Sequence, residues 1–140
     1  PLFVDTNIQN AGSKSLGRWG GLLRGQIFGL TGWGDRTTIS GFTTSDLREQ
    51  QTLQVGHDFR IGGEGLTVSN LFTYAWARPS VADDADIRAN TLLNTFELGF
   101  PIVRKLTRTV RAAAGVDFVN QDVKLDGIKL TRDRLRVAYA

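Results

Sequence analysis

The chain has 140 residues and a formal net charge of +3, with 41% hydrophobic and 22% charged residues. This length predicts a single domain spanning residues 1–140, and the composition excludes a disordered chain. There is no cysteine, which excludes disulfides, zinc–thiolate sites and thiol nucleophiles. No apolar run approaches the roughly 18 residues of a transmembrane helix. The chain begins at Pro1 and contains no methionine, so we interpret it as a processed chain or a piece of a larger protein.

Alternation of apolar and polar residues recurs along almost the whole chain and predicts about eight antiparallel strands in an up-and-down meander. The predicted strands are 2–9, 18–30, 36–44, 52–61, 66–78, 91–101, 109–121 and a last one from about residue 134. Residues 46–51 are predicted to be loop, although Asp46 and Glu49 have capping-box spacing. The connections after odd-numbered strands look longer and more polar than those after the second and fourth strands. Such alternation is typical of outer-membrane barrels.

The fifth predicted strand, residues 66–78, shows the alternation most clearly. Its even positions carry Leu66, Val68, Asn70, Phe72, Tyr74 and Trp76, and its odd positions are mostly small or polar. Successive side chains of a strand point to opposite faces, so one face is apolar and aromatic. The segment exceeds the usual strand of about 5–6 residues and has the length of a bilayer-crossing strand, about 9–11 residues. The fold class we predict is therefore all-β, as part of a transmembrane β-barrel.

The polar positions of these strands are the predicted wall of a hydrated lumen. The candidates are Arg24, Gln26, Gln54, Asp58, Arg60, Thr67, Ser69, Thr95, Glu97, Arg111 and Asp117. A soluble sandwich gives a similar alternation, with water on one side and core on the other. Two features favour the membrane: many small residues on the charged face, and aromatic residues near predicted strand ends. Those aromatic residues are Trp19, Tyr74, Trp76, Phe100 and Phe118.

No segment predicts catalysis or a cofactor. His57, the single histidine, lies on the apolar side of its strand, and nothing supports a catalytic triad around it. Asp83, Asp84 and Asp86 resemble a weak calcium ligand cluster but lack an EF-hand glycine and distal glutamate, which favours a solvated loop. The glycines of residues 29–34 precede no helix and are predicted to form a turn rather than a phosphate loop. We predict a protein that is not an enzyme and that holds no metal.

Basic residues are concentrated between Arg104 and Arg136. Such a concentration suits nucleic acid or anionic lipid. Because acidic residues are interleaved and no nucleic-acid motif accompanies them, we interpret these residues as turn and loop charges at a membrane or solvent boundary, with no nucleic-acid partner.

One set of short motifs is more specific. It consists of Asp5 and Asn7, then Gly12, then Gly17, then Gly32, Gly34 and Asp35. It resembles the start of the barrel domain in two-partner-secretion transporters, the haemolysin secretion/activation family of outer-membrane proteins. The opening of the fourth strand at Gln50 and of the fifth at Gly65 continues the likeness.

The resemblance implies the first half of a barrel of about sixteen strands. It also implies export of one unfolded partner polypeptide, contact with outer-membrane lipids, and location in the bacterial outer membrane. Two alternatives remain: another outer-membrane barrel, such as an assembly factor or porin, and a soluble lipocalin-like barrel that binds a small hydrophobic ligand. A half barrel leaves open strand edges, so the isolated chain is expected to self-associate or to close into a smaller barrel.

Overall fold

A computed structural model describes residues 1–10, 17–79, 86–105 and 107–140. These residues form strands and short connections, and no helix among them is long and apolar enough to cross a membrane. The strands are β1 (Leu2–Gln9), β2 (Gly20–Phe28), β3 (Arg36–Thr44), β4 (Gln50–Ile61), β5 (Leu66–Ala77), β6 (Ile87–Lys105), β7 (Arg108–Leu125) and β8 (Ile128–Tyr139).

The strands form one sheet in the order β1 to β8, and each strand is antiparallel to its neighbours. This confirms the predicted all-β meander. In the described residues, β1 and β8 each have a strand partner on one side only, so the sheet is open rather than closed into a barrel.

The last three strands are longer than predicted: β6 has 19 residues and β7 has 18. Their charged ends suggested loops, yet they continue the ladder, and the polar side chains pair across it. The predicted long connection after the seventh strand is therefore wrong. β7 and β8 are joined by Asp126 and Gly127, which have φ values of 49° and 80°. Positive φ at both positions is the backbone of a type I′ hairpin, and an Asp-Gly pair is a typical sequence for it.

Two polar side chains organise the other connections. Asp35, which is 2% exposed, accepts hydrogen bonds from the backbone N–H groups of Leu30 and Thr31 and from the Thr31 hydroxyl. Thr44, 1% exposed, donates to Asp46 and accepts from the N–H of Gln50. These bonds replace backbone partners that the turning chain cannot provide itself. The second set confirms the predicted loop for residues 46–49, whereas Gln50 and Gln51, also predicted to be loop, begin β4.

Few side chains of the described sheet are buried, and most of the buried ones are polar. The buried polar residues are Asp35, Ser40 and Thr44, whereas Val68 is the one buried hydrophobic residue among those that the structure describes. Large apolar side chains in the middle of the strands remain exposed, such as Leu53 at 42% and Phe96 at 41%. The sheet has no second layer among the described residues, so its apolar surface is uncovered.

Candidate functional site

The strand register divides the side chains into two faces. Residues directly opposite each other in an antiparallel ladder lie on the same face. Following the pairs from Val4 through Gly25, Ile39 and Val55 to Phe72 therefore identifies one continuous surface. We call this surface the apolar face and the opposite surface the polar face.

The apolar face carries most of the larger hydrophobic side chains of β1 to β7, although some, such as Phe3, Phe42 and Leu71, lie on the polar face. The large hydrophobic residues of the apolar face are Leu2, Val4, Ile8, Leu23, Ile27, Ile39, Leu53, Val55, Phe59, Ile61, Leu66, Val68, Phe72, Tyr74, Trp76, Leu92, Phe96, Leu98, Phe100, Val110, Val116 and Phe118. Beyond the ends of this apolar stretch, the same face of β6 and β7 carries charged residues, and these are Arg88, Lys105, Arg108, Asp122 and Lys124.

The polar residues within the apolar face bond to one another. The side-chain amide of Asn70 donates to the Asn94 side-chain oxygen at 3.2 Å and to the carbonyl of Thr95 at 3.2 Å. The Thr37 hydroxyl lies 2.9 Å from Nδ1 of His57. Pairing of this kind allows polar groups to sit in an apolar environment, because an unpaired polar group there is costly. It also gives His57 a hydrogen-bond partner on β3.

The uncharged, mostly hydrophobic part of the apolar face, which we call the apolar band, crosses β5 to β8 diagonally. On each strand we identify the residue of the band that lies nearest the end of the sheet with the β7–β8 turn. These residues are Trp76 on β5, Leu92 on β6, Phe118 on β7 and Ala138 on β8. Directly across the ladder, Trp76 faces Asn90 and Phe118 faces Arg136, so on each following strand the band begins two residues further from that end. A layer of constant depth crosses tilted strands in this way, and barrel strands are tilted by about 35–45°.

The predicted aromatic positions are corrected in part. Tyr74 and Trp76 lie together near the end of β5, with their ring centroids 5.5 Å apart. Phe118 is not near a strand end, because β7 continues to Leu125. Phe100 is likewise inside its strand, because β6 continues to Lys105. Trp19 directly precedes β2 and is therefore still close to a strand end, as predicted.

All of the predicted lumen residues share the polar face. Arg24, Gln26, Gln54, Asp58, Arg60, Thr67, Ser69, Thr95, Glu97, Arg111 and Asp117 occupy the positions opposite to the apolar face on β2 and β4 to β7. Their role as a lumen wall remains a prediction.

Many of these residues are paired across neighbouring strands. Arg24 Nε lies 3.0 Å from an Asp5 carboxylate oxygen. The hydroxyl of Thr95 donates to Asp117 at 2.7 Å, and the amide of Gln54 donates to Thr73 at 3.0 Å. The polar face is therefore a hydrogen-bonded lattice rather than a set of isolated charges.

Some partners in this lattice were missed by the sequence analysis. Arg36, directly opposite Asp58, forms an ion pair with it at 2.9 Å. The hydroxyl of Tyr139 donates a hydrogen bond to the Glu97 carboxylate, with 3.0 Å between the two oxygens. The sequence alone gives no partner for Arg36, and only the register shows which carboxylate lies opposite it.

Tyr139 reaches Glu97 by crossing an intervening strand. Tyr139 is on β8 and Glu97 is on β6, and Gly115 of β7 lies opposite both of them. A Cβ atom on Gly115 would lie 2.6 Å from the tyrosine ring and 2.9 Å from the carbonyl oxygen of Phe96. Only glycine leaves room for this crossing.

The resemblance motif acquires specific structural roles. Asp5 pairs with Arg24 on the polar face, and Asn7 lies two residues further along the same face. Asp35 closes the β2–β3 turn in which Gly32 and Gly34 have φ values of 81° and 64°. Gly17 has a φ value of 84°, and Gly12 lies outside the described residues. These φ values lie in the left-handed region that glycine tolerates best.

The acidic residues that the sequence singled out do not form a metal site in the described part of the chain. Within the described residues, no group of three or more histidine or acidic side chains is placed to hold a metal ion. Asp86 bonds to Arg88 Nε at 2.8 Å, and Asp83 and Asp84 lie outside the described residues. On the polar face, Arg60, Thr67 and Arg111 line an open depression of about 190 Å³.

Comparison of the chain with protein-family models, curated proteins and solved structures finds no match.

Proposed function

We propose that this chain is a segment of a transmembrane β-barrel wall in a bacterial outer membrane. The observation that carries the proposal is the apolar band of this face, which extends from β1 to β7 without a charged residue and includes exposed side chains such as Ile39, Leu53 and Phe96. The charged residues of the same face lie on β6 and β7 beyond the ends of that band. Exposing so many large apolar side chains to water would be strongly unfavourable, at about 25 cal/mol for each Å². Lipid acyl chains provide a matching environment without a second protein layer.

The strand lengths and the diagonal band support the same proposal. β4 and β5 have 12 residues each, enough for tilted bilayer-crossing strands, which need about 9–11 residues. Every strand pairs with its sequence neighbours, with one register shift between β6 and β7 and another between β7 and β8, so most backbone groups between β1 and β8 are satisfied within the sheet. Lipid requires this, because the hydrocarbon layer offers no hydrogen-bond partner.

The polar face is the proposed path for a passing polypeptide. It carries positive arginines and negative carboxylates, and most of them are paired, as Arg24 is with Asp5 and Arg36 is with Asp58. A paired, mixed-charge surface is hydrated and offers no strong binding site to either sign of charge. An extended chain slides along such a wall without being held, and the proposal assigns no catalytic residue.

Export of a partner protein, as in two-partner secretion, is the finer part of the proposal. It rests on the resemblance of the segment from Asp5 to Asp35, whose motif residues here form an ion pair and a closed turn. The alternative of a soluble lipocalin-like barrel requires the apolar side chains to enclose a ligand. The exposure of Leu53, Phe96 and Phe100 favours the membrane reading over that alternative.

A pair of adjacent substitutions tests which face contacts lipid. Phe96→Arg places a charge on the apolar face, and we expect it to destabilise folding into lipid by about 2–4 kcal/mol near the middle of the bilayer. Thr95→Arg introduces the same charge one residue away, on the polar face beside Asp117, and should have a much smaller effect. The measurement is the folded fraction in liposomes as a function of urea concentration.

The comparison is internally controlled, because the two variants have the same net charge and the same strand. If both fold equally well, or if Thr95→Arg is the more damaging change, the assignment of the apolar face to lipid is wrong. For the export function, the readout is secretion of a partner by the complete transporter. Normal secretion by a transporter that lacks this segment would contradict it.

A further inference from the structure

Basic side chains are gathered on the apolar-face side of the β7–β8 hairpin, next to the end of the apolar band. They are Lys124, Lys129, Arg132, Arg134 and Arg136, which we call the basic patch. The sequence predicts that these residues are turn and loop charges, with only Arg134 and Arg136 in a strand, but the register puts all five on one side of two paired strands. Asp122 is the acidic residue among them.

The basic patch is continuous with the apolar band. Arg136 lies opposite Phe118, and its guanidinium carbon is 5.3 Å from the centre of that ring. Ala138, the next residue of β8 on the same face, lies opposite Val116 within the band. Successive residues on one face of a strand are about 7 Å apart, so the change from apolar to cationic surface occurs within about one such step.

The available counter-charge does not neutralise the patch. Asp122 lies 3.3 Å from Lys129 and 3.7 Å from Arg132, so it is shared by two cations. Arg134 and Lys124 form no ion pair with any described residue. Every residue of β8 is exposed, so these groups are accessible.

Protection of an edge strand against aggregation explains only part of this pattern. Lysine and arginine on an edge strand discourage unwanted pairing whichever face they occupy. Here the opposite face of β8 carries Thr131, Asp133, Leu135 and Val137, with no basic residue. One-sided placement beside an apolar band suits a ligand that is itself apolar at one end and anionic at the other.

We propose that the basic patch binds the phosphate of an anionic membrane lipid whose acyl chains lie against the apolar band. This inference rests on the proposed membrane function. Guanidinium groups suit phosphate because they donate paired hydrogen bonds in a planar fork. Arg132 and Arg134 are the principal phosphate ligands, and Arg136, stacked over Phe118, marks the boundary between headgroup and acyl chains.

The test measures lipid binding to the protein folded in non-ionic detergent micelles. The probes are fluorescent short-chain phosphatidylglycerol, which is anionic, and the matching phosphatidylcholine, which is neutral. We expect phosphatidylglycerol to bind more tightly, and Arg132→Gln/Arg134→Gln to weaken its binding roughly thirtyfold, given the usual contribution of a basic residue near an anionic surface. Binding of phosphatidylcholine should not change, and high salt should remove the preference.

The matched control is Arg18→Gln/Arg48→Gln. These arginines are exposed in the connections at the same end of the sheet, and their replacement removes the same charge without touching β8. If both double variants weaken phosphatidylglycerol binding equally, the effect is due to net charge alone and the proposal is overturned. Unlabelled competitors identify the ligand. If inorganic phosphate or an oligonucleotide displaces the fluorescent lipid as effectively as unlabelled phosphatidylglycerol does, the assignment of the patch to a lipid is overturned.

The same experiment separates this inference from the function on which it rests. If phosphatidylcholine and phosphatidylglycerol bind equally, and Phe96→Arg still blocks folding into liposomes, the basic patch is not a phosphate site but the membrane function stands. If neither lipid binds and Phe96→Arg is harmless, both proposals fail.

Discussion

Asp35 illustrates how one side chain can define a turn. Three hydrogen bonds reach its carboxylate, at 3.0 Å from the Leu30 N–H, 3.0 Å from the Thr31 N–H and 2.8 Å from the Thr31 hydroxyl. Burial by itself would raise the pKa of this carboxyl. The bonds from Thr31 and Leu30 outweigh burial and lower its pKa below the ordinary value. The ionised form is therefore the one that the turn stabilises.

The lowered pKa predicts a pH dependence for this turn. A carboxyl whose pKa is depressed by folding contributes stability above its unfolded pKa and loses it as the pH falls through the folded pKa. Asp35→Asn should therefore destabilise the protein at neutral pH, and the difference from wild type should shrink in acid. The measurement is the free energy of unfolding in urea at several pH values.

Glu64→Gln is the control for this experiment. Glu64 is the carboxylate of the β4–β5 turn, and no described side chain or backbone group donates a hydrogen bond to it. Its replacement should leave the unfolding free energy nearly unchanged at neutral pH. A loss for Asp35→Asn that is equal at neutral and acidic pH would contradict the electrostatic explanation.

At the scale of the strands, β6, β7 and β8 form the most extensive part of the sheet. They are held by continuous ladders, with a register shift between Pro101 and Val103 and another between Val123 and Lys124. The ring of Tyr139 spans the middle strand above Gly115. This contact joins the outermost strand to a strand that it does not pair with.

Gly115 is the position where this arrangement is most sensitive. Gly115→Ala should destabilise the protein by about 1–3 kcal/mol, because its Cβ overlaps both the Tyr139 ring and the Phe96 carbonyl. Gly25→Ala is the matched control, since a Cβ there has no heavy atom within 4 Å. Unfolding free energies in detergent or lipid measure both variants.

Repeating Gly115→Ala in a chain without the Tyr139 ring separates the cost of the overlap with the ring from the cost of the overlap with the Phe96 carbonyl. In a Tyr139→Ala chain, Gly115→Ala should cost less than in wild type but more than zero, because the backbone carbonyl remains. An equal cost in both backgrounds would show that the tyrosine does not lie over Gly115 in the folded protein.

At the scale of the whole molecule, the open sheet edges are the dominant feature. β1 and β8 present unpaired backbone groups along one side, and β1 has exposed apolar residues such as Leu2 and Ile8. Unpaired backbone groups are unfavourable in lipid and invite pairing in water. Either further strands complete the sheet or the edges of separate chains meet.

The purified 140-residue chain is therefore expected to self-associate through its edges. Light scattering in detergent, with the detergent mass subtracted, measures the number of chains in each particle. Closure into a smaller barrel is the other outcome consistent with unpaired edges, and it would appear as a monomer with slowly exchanging amides on β1 and β8. A monomer whose edge amides exchange rapidly would contradict both.

The sequence by itself determined the strand content, the meander and the composition of the two faces. These properties follow from a local rule, because side chains alternate with a period of two along any strand. For this reason the predicted β1 and β3 have the observed bounds, and Arg24, Gln54 and Asp117 lie on one face as predicted. The resemblance in turn drew attention to Asp35, although not to its hydrogen bonds.

The tertiary structure alone decided which residues lie opposite one another across strands. Arg36 with Asp58, and Tyr139 over Gly115 to Glu97, depend on register, which joins residues far apart in the chain. The position of the basic patch was hidden for the same reason. Its charged residues interrupt the apolar pattern and resemble a loop, and only the Asp126-Gly127 hairpin aligns them on one face beside the apolar band.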